Sequence, residues 1–294
     1  MVSIASIPHR EESLRRVVAS LLAQTERLNV YLNEYGHIPE FLQHPKIAVT
    51  RSQDHGDRGD AGKFFWLGTD ARYFLTCDDD IVYPPDYVEQ TIASIERYGR
   101  RAVIGWHGSI LADSFRDYYE DRKILSFYLD LERDTSVHIL GTGTVGFHVS
   151  TIRLALVDFK VPNMADVWFG LKGQEQSVPF IVRAHRAGEL VPILDGAQDT
   201  AIWRDCVDNA DSGRNTRSAQ NDVVLAHWPW TIHACQTVPR ASSGVFWLVL
   251  GLLGAATLLG AGITLPVILL TMALVTIACG LRRVWLRWRG KTRN

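Results

Sequence analysis

Three observations predict an α/β domain with a mixed, mostly parallel, Rossmann-like core sheet, followed by a C-terminal two-helix membrane hairpin. Short β-rich runs alternate with amphipathic helical periodicity over residues 1–110, an apolar strand ends in three consecutive aspartates, and 41 positions near the C-terminus carry no charge. The chain of 294 residues suffices for one large domain, and an apolar fraction of 47% can fill a sizeable core. Composition divides it into a globular domain at 1–240, with a first half at 1–110 and a second at 111–240, a hairpin at 241–281 and a basic tail at 282–294.

Val2–Ile7 reads as the first strand. Glu11–Gln24 reads as a helix with Leu14, Val17, Val18, Leu21 and Leu22 on one face. Asn29–Asn33 and Lys46–Thr50 are further strands, Gly62–Asp70 a short helix, and Tyr73–Cys77 an apolar strand entering the acidic triplet. Pro84–Tyr98 reads as a helix with its proline pair in the first turn, and Ala102–Trp106 as the next strand. Residues 205–222, rich in Asp, Asn, Ser, Gly and Arg, read as a mobile loop.

The uncharged stretch Ala241–Leu281 is long enough for two short spans, placed at Val245–Gly260 and Ile263–Gly280 with Gly260-Ala261-Gly262 as the turn. Arg240 lies before it, and Arg282, Arg283, Arg287, Arg289, Lys291 and Arg293 after it. Basic flanks at both ends place both termini in the cytosol. Net charge is -1, which excludes an electrostatic nucleic-acid binder; the tail carries six positive charges and leaves residues 1–281 at -7. Cys77, Cys206, Cys235 and Cys279 are too dispersed for a zinc site or a disulfide framework. Met1–Pro8 has no basic n-region and only a short apolar run, so the globular part is expected on the cytosolic face of the inner membrane.

The chemistry concentrates at Asp78-Asp79-Asp80. Ligands of open α/β sheets bind at the carboxyl ends of strands, and this is one. In extended chain, Asp78 and Asp80 project to the same side, where two hard oxygen ligands suit Mg²⁺ or Mn²⁺ bridging phosphate oxygens. Solvation or capping of the next helix is the plainer reading, but three adjacent carboxylates are electrostatically costly without a cation. One strand earlier, Gly56-Asp57-Arg58-Gly59-Asp60-Ala61-Gly62-Lys63 permits close backbone approach and places a lysine at a helix start, where it can meet a phosphate.

This succession resembles the nucleotide-binding half of a family 2-like glycosyltransferase of the A fold, of the bacterial cell-surface polysaccharide type, over residues 1–110. The residues that carry the likeness are Ser3–Arg10, Val30–Asn33, Asp60–Phe64 and Asp78–Asp80. The resemblance implies that Pro8, Arg10 and Asn33 line a nucleoside pocket with help from Asp60 and Lys63. It implies that Asp78 and Asp79 face ribose or sugar, and that Asp80, with Asp78, holds the metal. Many members have an acidic residue where the second strand ends; here Asn33-Glu34 stands there. The implied reaction moves a sugar from a nucleotide-diphosphate sugar, most simply a UDP-sugar, to a saccharide or lipid-linked acceptor at the membrane.

In the second half, Gly141-Thr142-Gly143-Thr144-Val145-Gly146 spells a dinucleotide fingerprint, but β-branched residues follow and no helix opens there, so a glycine-rich wall beside the sugar fits better. Asp166, in Asn163–Gly170, resembles the acidic general base of inverting members, and an N-cap role is compatible with it. Trp168 is a core residue or a sugar-stacking one. Of His185, His227 and His233, His227 lies where some members supply a third metal ligand; a lone histidine is more often structural. Two other classes compete. Phe74–Val82 also fits the nucleophile strand of a haloacid-dehalogenase-like phosphatase using Asp78 and Asp80, but the strands before it and a missing downstream metal loop oppose that reading. A non-catalytic membrane-attached sugar-binding protein is the other, and an intact triplet together with Asp166 opposes it.

Overall fold

The βαβ alternation begins at the first residues. In the computed structural model, which describes residues 1–194 and 216–238, β1 (Val2–Ser6) runs through a 3-10 turn at Pro8–Arg10 into α1 (Glu11–Leu21). Leu14, Val17, Val18 and Leu21 of α1 are all buried, as their spacing requires, and Glu11 and Glu12 sit in its first turn, where negative charge favours the helix dipole. β2 (Leu28–Leu32) and β3 (Ile47–Arg51) follow, then a four-residue helix α2 (Ser52–His55). β4 is Tyr73–Cys77 and β5 is Ile81–Val82. Next come α3 (Tyr87–Arg97), β6 (Val103–Gly105), β7 (Gly108–Leu111) and β8 (Arg122–Leu125). β9 (Thr135–Val137), β10 (Ile139–Leu140), β11 (Thr144–His148), α4 (Ala165–Glu175), β12 (Phe180–Val182) and β13 (Val191–Pro192) lead to a last described helix at Arg217–Ala226.

Eight strands form one sheet in the order β3-β2-β1-β4-β11-β6-β12-β9. The first four are parallel to one another, and β6 is parallel to β12; β11 runs antiparallel between β4 and β6, and β9 antiparallel along the β12 edge. The sheet is therefore mixed. β6, a first-half strand by sequence, lies between β11 and β12, so the two halves share one sheet. Smaller sheets β10-β7-β8 and β13-β5 complete the fold. The buried runs of β1 and β2 are what parallel strands covered on both faces require; the buried Asn29 is satisfied by donating to Ser3 Oγ at 3.2 Å and accepting from Arg27 Nε at 3.1 Å.

Three expected elements are corrected. The helix expected over Gly62–Asp70 is a 3-10 helix at Gly59–Phe64 followed by turns. Gly59 has φ +52°, and Gly62 lies so close to the Tyr31 ring that an added Cβ would come within 2.6 Å. The helix expected from Pro84 starts at Tyr87, because a residue preceding proline is driven out of the α region and Pro84 precedes Pro85. Residues 217–222, expected as loop, are helical and tied down: Arg217 Nε donates to Asp117 Oδ2 at 2.8 Å, and Asn221 accepts from the Tyr118 backbone N–H at 2.7 Å.

Among the described residues no helix is long and apolar enough to cross a membrane. The hairpin expected at 241–281, the basic cluster, Arg240, Cys206 and Cys279 lie outside the described residues.

Candidate active site

A cavity of about 760 Å³ opens at the carboxyl ends of β1 and β4, within the usual size of a small-ligand pocket. Its walls come from the β1 end, the Gly59 turn, the acidic triplet, the β10–β11 connection, the start of α4 and the 118–129 segment. Antiparallel pairing of β4 with β11 sets this geometry. Cys77 lies opposite Thr144, so Asp78 follows directly beside Gly143, and the Asp78 N–H donates to the Gly143 carbonyl at 3.3 Å. Tyr83 Oη clamps the junction, donating to the Gly143 carbonyl at 2.5 Å and accepting from the Asp78 N–H at 2.8 Å.

The triplet is not extended. Asp79 and Asp80 form a turn, and their charge is met within the protein. Asp78 Oδ1 accepts from Lys63 Nζ at 2.5 Å; Arg10 Nη1 reaches Asp79 Oδ1 at 2.7 Å and Asp80 Oδ2 at 3.3 Å. Lys63 is 3% exposed. Burial opposes its charge, but Asp78 and Asp60 outweigh that and hold its pKa above the usual lysine value. Asp79 is equally buried, whereas the Asp78 side chain is 38% exposed and faces the cavity. Burial, reinforced by Asp78 and Asp79, pushes the Asp80 carboxyl up to about 7.

Asp60 sits beneath the same floor. Its Oδ2 accepts from the Ala165 N–H at 2.9 Å, capping α4 from across the chain, and its Oδ1 is buried with no partner among the described residues. Burial pushes this carboxyl up to about 6 against the pull of Lys63. The Asn33 side chain is committed to the loop, accepting from the Arg58 N–H at 3.1 Å and donating to the Gly59 carbonyl at 2.9 Å. Asn33 thus lines the cavity while fixing the turn that presents Asp60.

Asp166 stands in the first turn of α4 but does not cap it; the N-cap position is Met164. Asp166 Oδ1 accepts from both the backbone N–H and the hydroxyl of Thr142, each at 2.7 Å, leaving Oδ2 without a protein partner among the described residues. The carboxylate is aimed by one oxygen and open at the other. A carboxylate held in this way can accept a proton from a group bound in the cavity.

Of the sequence-predicted residues, Arg10, Asn33, Asp60, Lys63, Asp78, Asp79, Asp80 and Asp166 line one cavity. Pro8 does not: it is exposed, and Ala5, Ser6 and Ile7 take that wall. His227 does not either. It is exposed at the end of its helix with Nδ1 against the Val223 carbonyl, outside the cavity lining. Trp168 is buried in the core at 6% exposure, and His185 is buried against the Arg183 and Ser126 carbonyls. Sequence reasoning missed His107, Tyr118, Tyr119, Arg122 and Gln220, which line the cavity from the second half. Burial drives the His107 pKa down to about 4, so its imidazole stays neutral at physiological pH. No local motif marks these five.

The glycosyl transferase family 2 model matches residues 7–153, half of the chain and the segment that carries the triplet, Lys63 and the Gly141–Gly146 wall. The chain belongs to that family. No curated protein matches it. A solved structure described as CMP:2-keto-3-deoxy-manno-octonic acid synthetase complexed with CTP is similar over 63% of this chain and 88% of its own, with 11% identity and a TM-score of 0.40. For this family 2 glycosyltransferase, no group of three metal-ligating side chains converges among the described residues. The donor set nevertheless fits a hard divalent cation of the Mg²⁺ or Mn²⁺ kind. Five carboxylates line the cavity against three cationic side chains, so hard oxygen donors outnumber the cations that could pair with them. Such ions are commonly held by one or two carboxylates with substrate phosphates and water supplying the rest.

Proposed function

We propose that the protein transfers a sugar from a nucleotide-diphosphate sugar, most simply a UDP-sugar, to a saccharide or lipid-linked acceptor, with inversion at the anomeric carbon. One observation carries this reading: consecutive residues, Thr142 and Gly143, touch Asp166 and Asp78 respectively, so the open carboxylate and the acidic triplet face one cavity. Asp78 and Asp80 would hold a divalent cation, which when bound neutralises negative charge on a leaving diphosphate. Arg10 and Lys63 position the triplet. Asp166 Oδ2 takes the proton of the acceptor hydroxyl as that oxygen bonds to the anomeric carbon. The anomeric C–O bond breaks at the same time, and its electron pair leaves with the nucleoside diphosphate. A single displacement of this kind inverts configuration. A membrane hairpin at 241–281 would keep the enzyme on the cytosolic face beside a membrane-borne acceptor and raise its effective concentration.

Thermal melting of the full chain with UDP and UDP-sugars, with and without Mn²⁺, tests the reading. The midpoint should rise only when nucleotide and metal are both present, since a ligand that binds only the folded state stabilises it by mass action. Asp80→Ala should abolish that rise. A nucleotide-independent response, or none with any nucleotide sugar, would overturn the assignment.

A further inference from the structure

Of the three cationic side chains lining the cavity, Arg10 and Lys63 are paired with aspartates, but no carboxylate lies within ion-pair distance of Arg122 among the described residues. Arg122 opens β8 and its guanidinium stacks over Tyr118 and Tyr119, 4.0 and 5.0 Å from the ring centroids. Its Nε is buried without a hydrogen-bond partner. Gln220, 5% exposed and on the same cavity lining, has a buried Oε1 with no partner either. Leaving a buried polar atom unmatched is costly unless a ligand supplies its partner, an acceptor for Arg122 Nε and a donor for Gln220 Oε1 as it is placed. The amide of Gln220 offers a donor as readily as an acceptor when its orientation is exchanged. The Tyr118 N–H is held by Asn221 of the helix that carries Gln220, which ties the two sides of this wall together.

The strand pairing connects Arg122 to the Asp166 side of the cavity. β8 pairs with β7, β7 with β10, and β10 leads directly to Thr142, the residue that aims Asp166. Resting on the transferase reading above, we infer that Arg122 and Gln220 form an anion-binding subsite for the acceptor, which therefore carries a phosphoryl or carboxylate group close to its reacting hydroxyl. Planar, bidentate recognition of such groups is what an arginine fork supplies. Two sources share this chemistry, an acidic saccharide and the headgroup of a lipid phosphate. The exposed Ile124 and Leu129 on the same cavity rim provide a surface for an apolar tail in the second case.

Isothermal titration of the full chain with paired probes tests the subsite: glucuronate and glucose 1-phosphate against methyl glucoside, and farnesyl phosphate against farnesol. A charge-assisted contact predicts that each anionic probe that binds does so at least about tenfold more tightly than its neutral counterpart. Arg122→Met should remove that margin and Arg122→Lys keep part of it, while UDP affinity stays within about twofold, which also reports that the variants fold. Farnesyl phosphate binding above the sugar anions would identify a lipid headgroup, and the reverse an acidic saccharide. The inference is overturned if charged and neutral probes bind alike, or if UDP affinity falls in step with the anionic probes, which would assign Arg122 to the donor diphosphate. Failure of every UDP-sugar to bind the wild type would instead sink the transferase reading and leave the charged-against-neutral comparison standing.

Discussion

Asp60 Oδ2 accepts the Ala165 N–H at 2.9 Å, so a carboxylate from the turn before β4 caps the helix that carries Asp166. A cap of this kind steadies the orphan amides of a helix start, and here it joins the two halves of the site. The arrangement has a pH signature. The folded pKa of Asp60 is about 6, above the unfolded carboxylate value near 4, so its contribution to stability is present below pH ~4 and lost as pH rises through 6. Asp60→Asn keeps an oxygen for the Ala165 N–H and removes the buried charge. Melting midpoints across pH 4 to 8 should therefore fall less for the variant, by up to about 3 kcal/mol in equivalent stability. Parallel pH profiles for the two proteins would show that folding does not raise the Asp60 pKa above its unfolded value.

Asp166→Asn should lower kcat by about 10³ and leave donor KM within about threefold, because a base acts in the transition state and not in donor binding. Thr142→Val keeps the backbone N–H but loses the hydroxyl, so it should cost about tenfold in kcat by loosening the aim of the carboxylate. Initial rates at saturating and limiting donor separate the two quantities. A variant that changed only KM would move Asp166 from the chemistry to the binding of donor.

The Lys63–Asp78 pair should be asymmetric. Asp78→Ala strands an ammonium whose side chain is 4% exposed, at a cost of about 3 kcal/mol, whereas Lys63→Met leaves an aspartate that is 38% exposed and able to hydrate. The double variant should recover 1–2 kcal/mol of the Asp78→Ala loss without recovering activity. Thermal melting of the four proteins completes the cycle. Additive losses would mean that the two side chains do not interact in solution.

Gly143→Ala should fold and fail. An added Cβ would lie 1.9 Å from Asp78 Oδ2, so the carboxylate must swing away from Lys63 and from its place beside the β10–β11 wall. The movable atom is the end of a side chain, so the stability loss should not exceed the about 3 kcal/mol of parting Asp78 from Lys63. Metal-dependent nucleotide binding should nevertheless drop at least tenfold. Binding at the wild-type level would show that Asp78 can be displaced without consequence.

Much of the first half was legible because its signals are local. The strand Tyr73–Cys77 and the buried face of α1 follow from apolar runs and 3.6-residue spacing, and the triplet announces itself by position. The Pro84–Pro85 pair misled on the start of α3, since a proline at a helix start and a residue barred from helix by the next proline read alike until the second proline is weighed. The helix at 217–226 hid in a polar segment because ion pairs and amide contacts with the 117–120 loop hold it, and those partners are about 100 residues away.

The sequence by itself determined an α/β domain, the order of strands and most helices in its first half, and the carboxylates available for chemistry. Only the tertiary structure decided what each carboxylate does: Asp79 is spent on Arg10, Asp60 caps a distant helix, Asp78 is shared with Lys63, and Asp166 keeps one oxygen open. The physical reason is that periodicity and turn chemistry act over a few residues. The charge state and availability of a buried group depend instead on desolvation and on partners that the fold brings from elsewhere in the chain. His107, Arg122 and Gln220 have no sequence signature for the same reason, since β7, β8 and a helix from the far end of the domain must assemble before they share a wall.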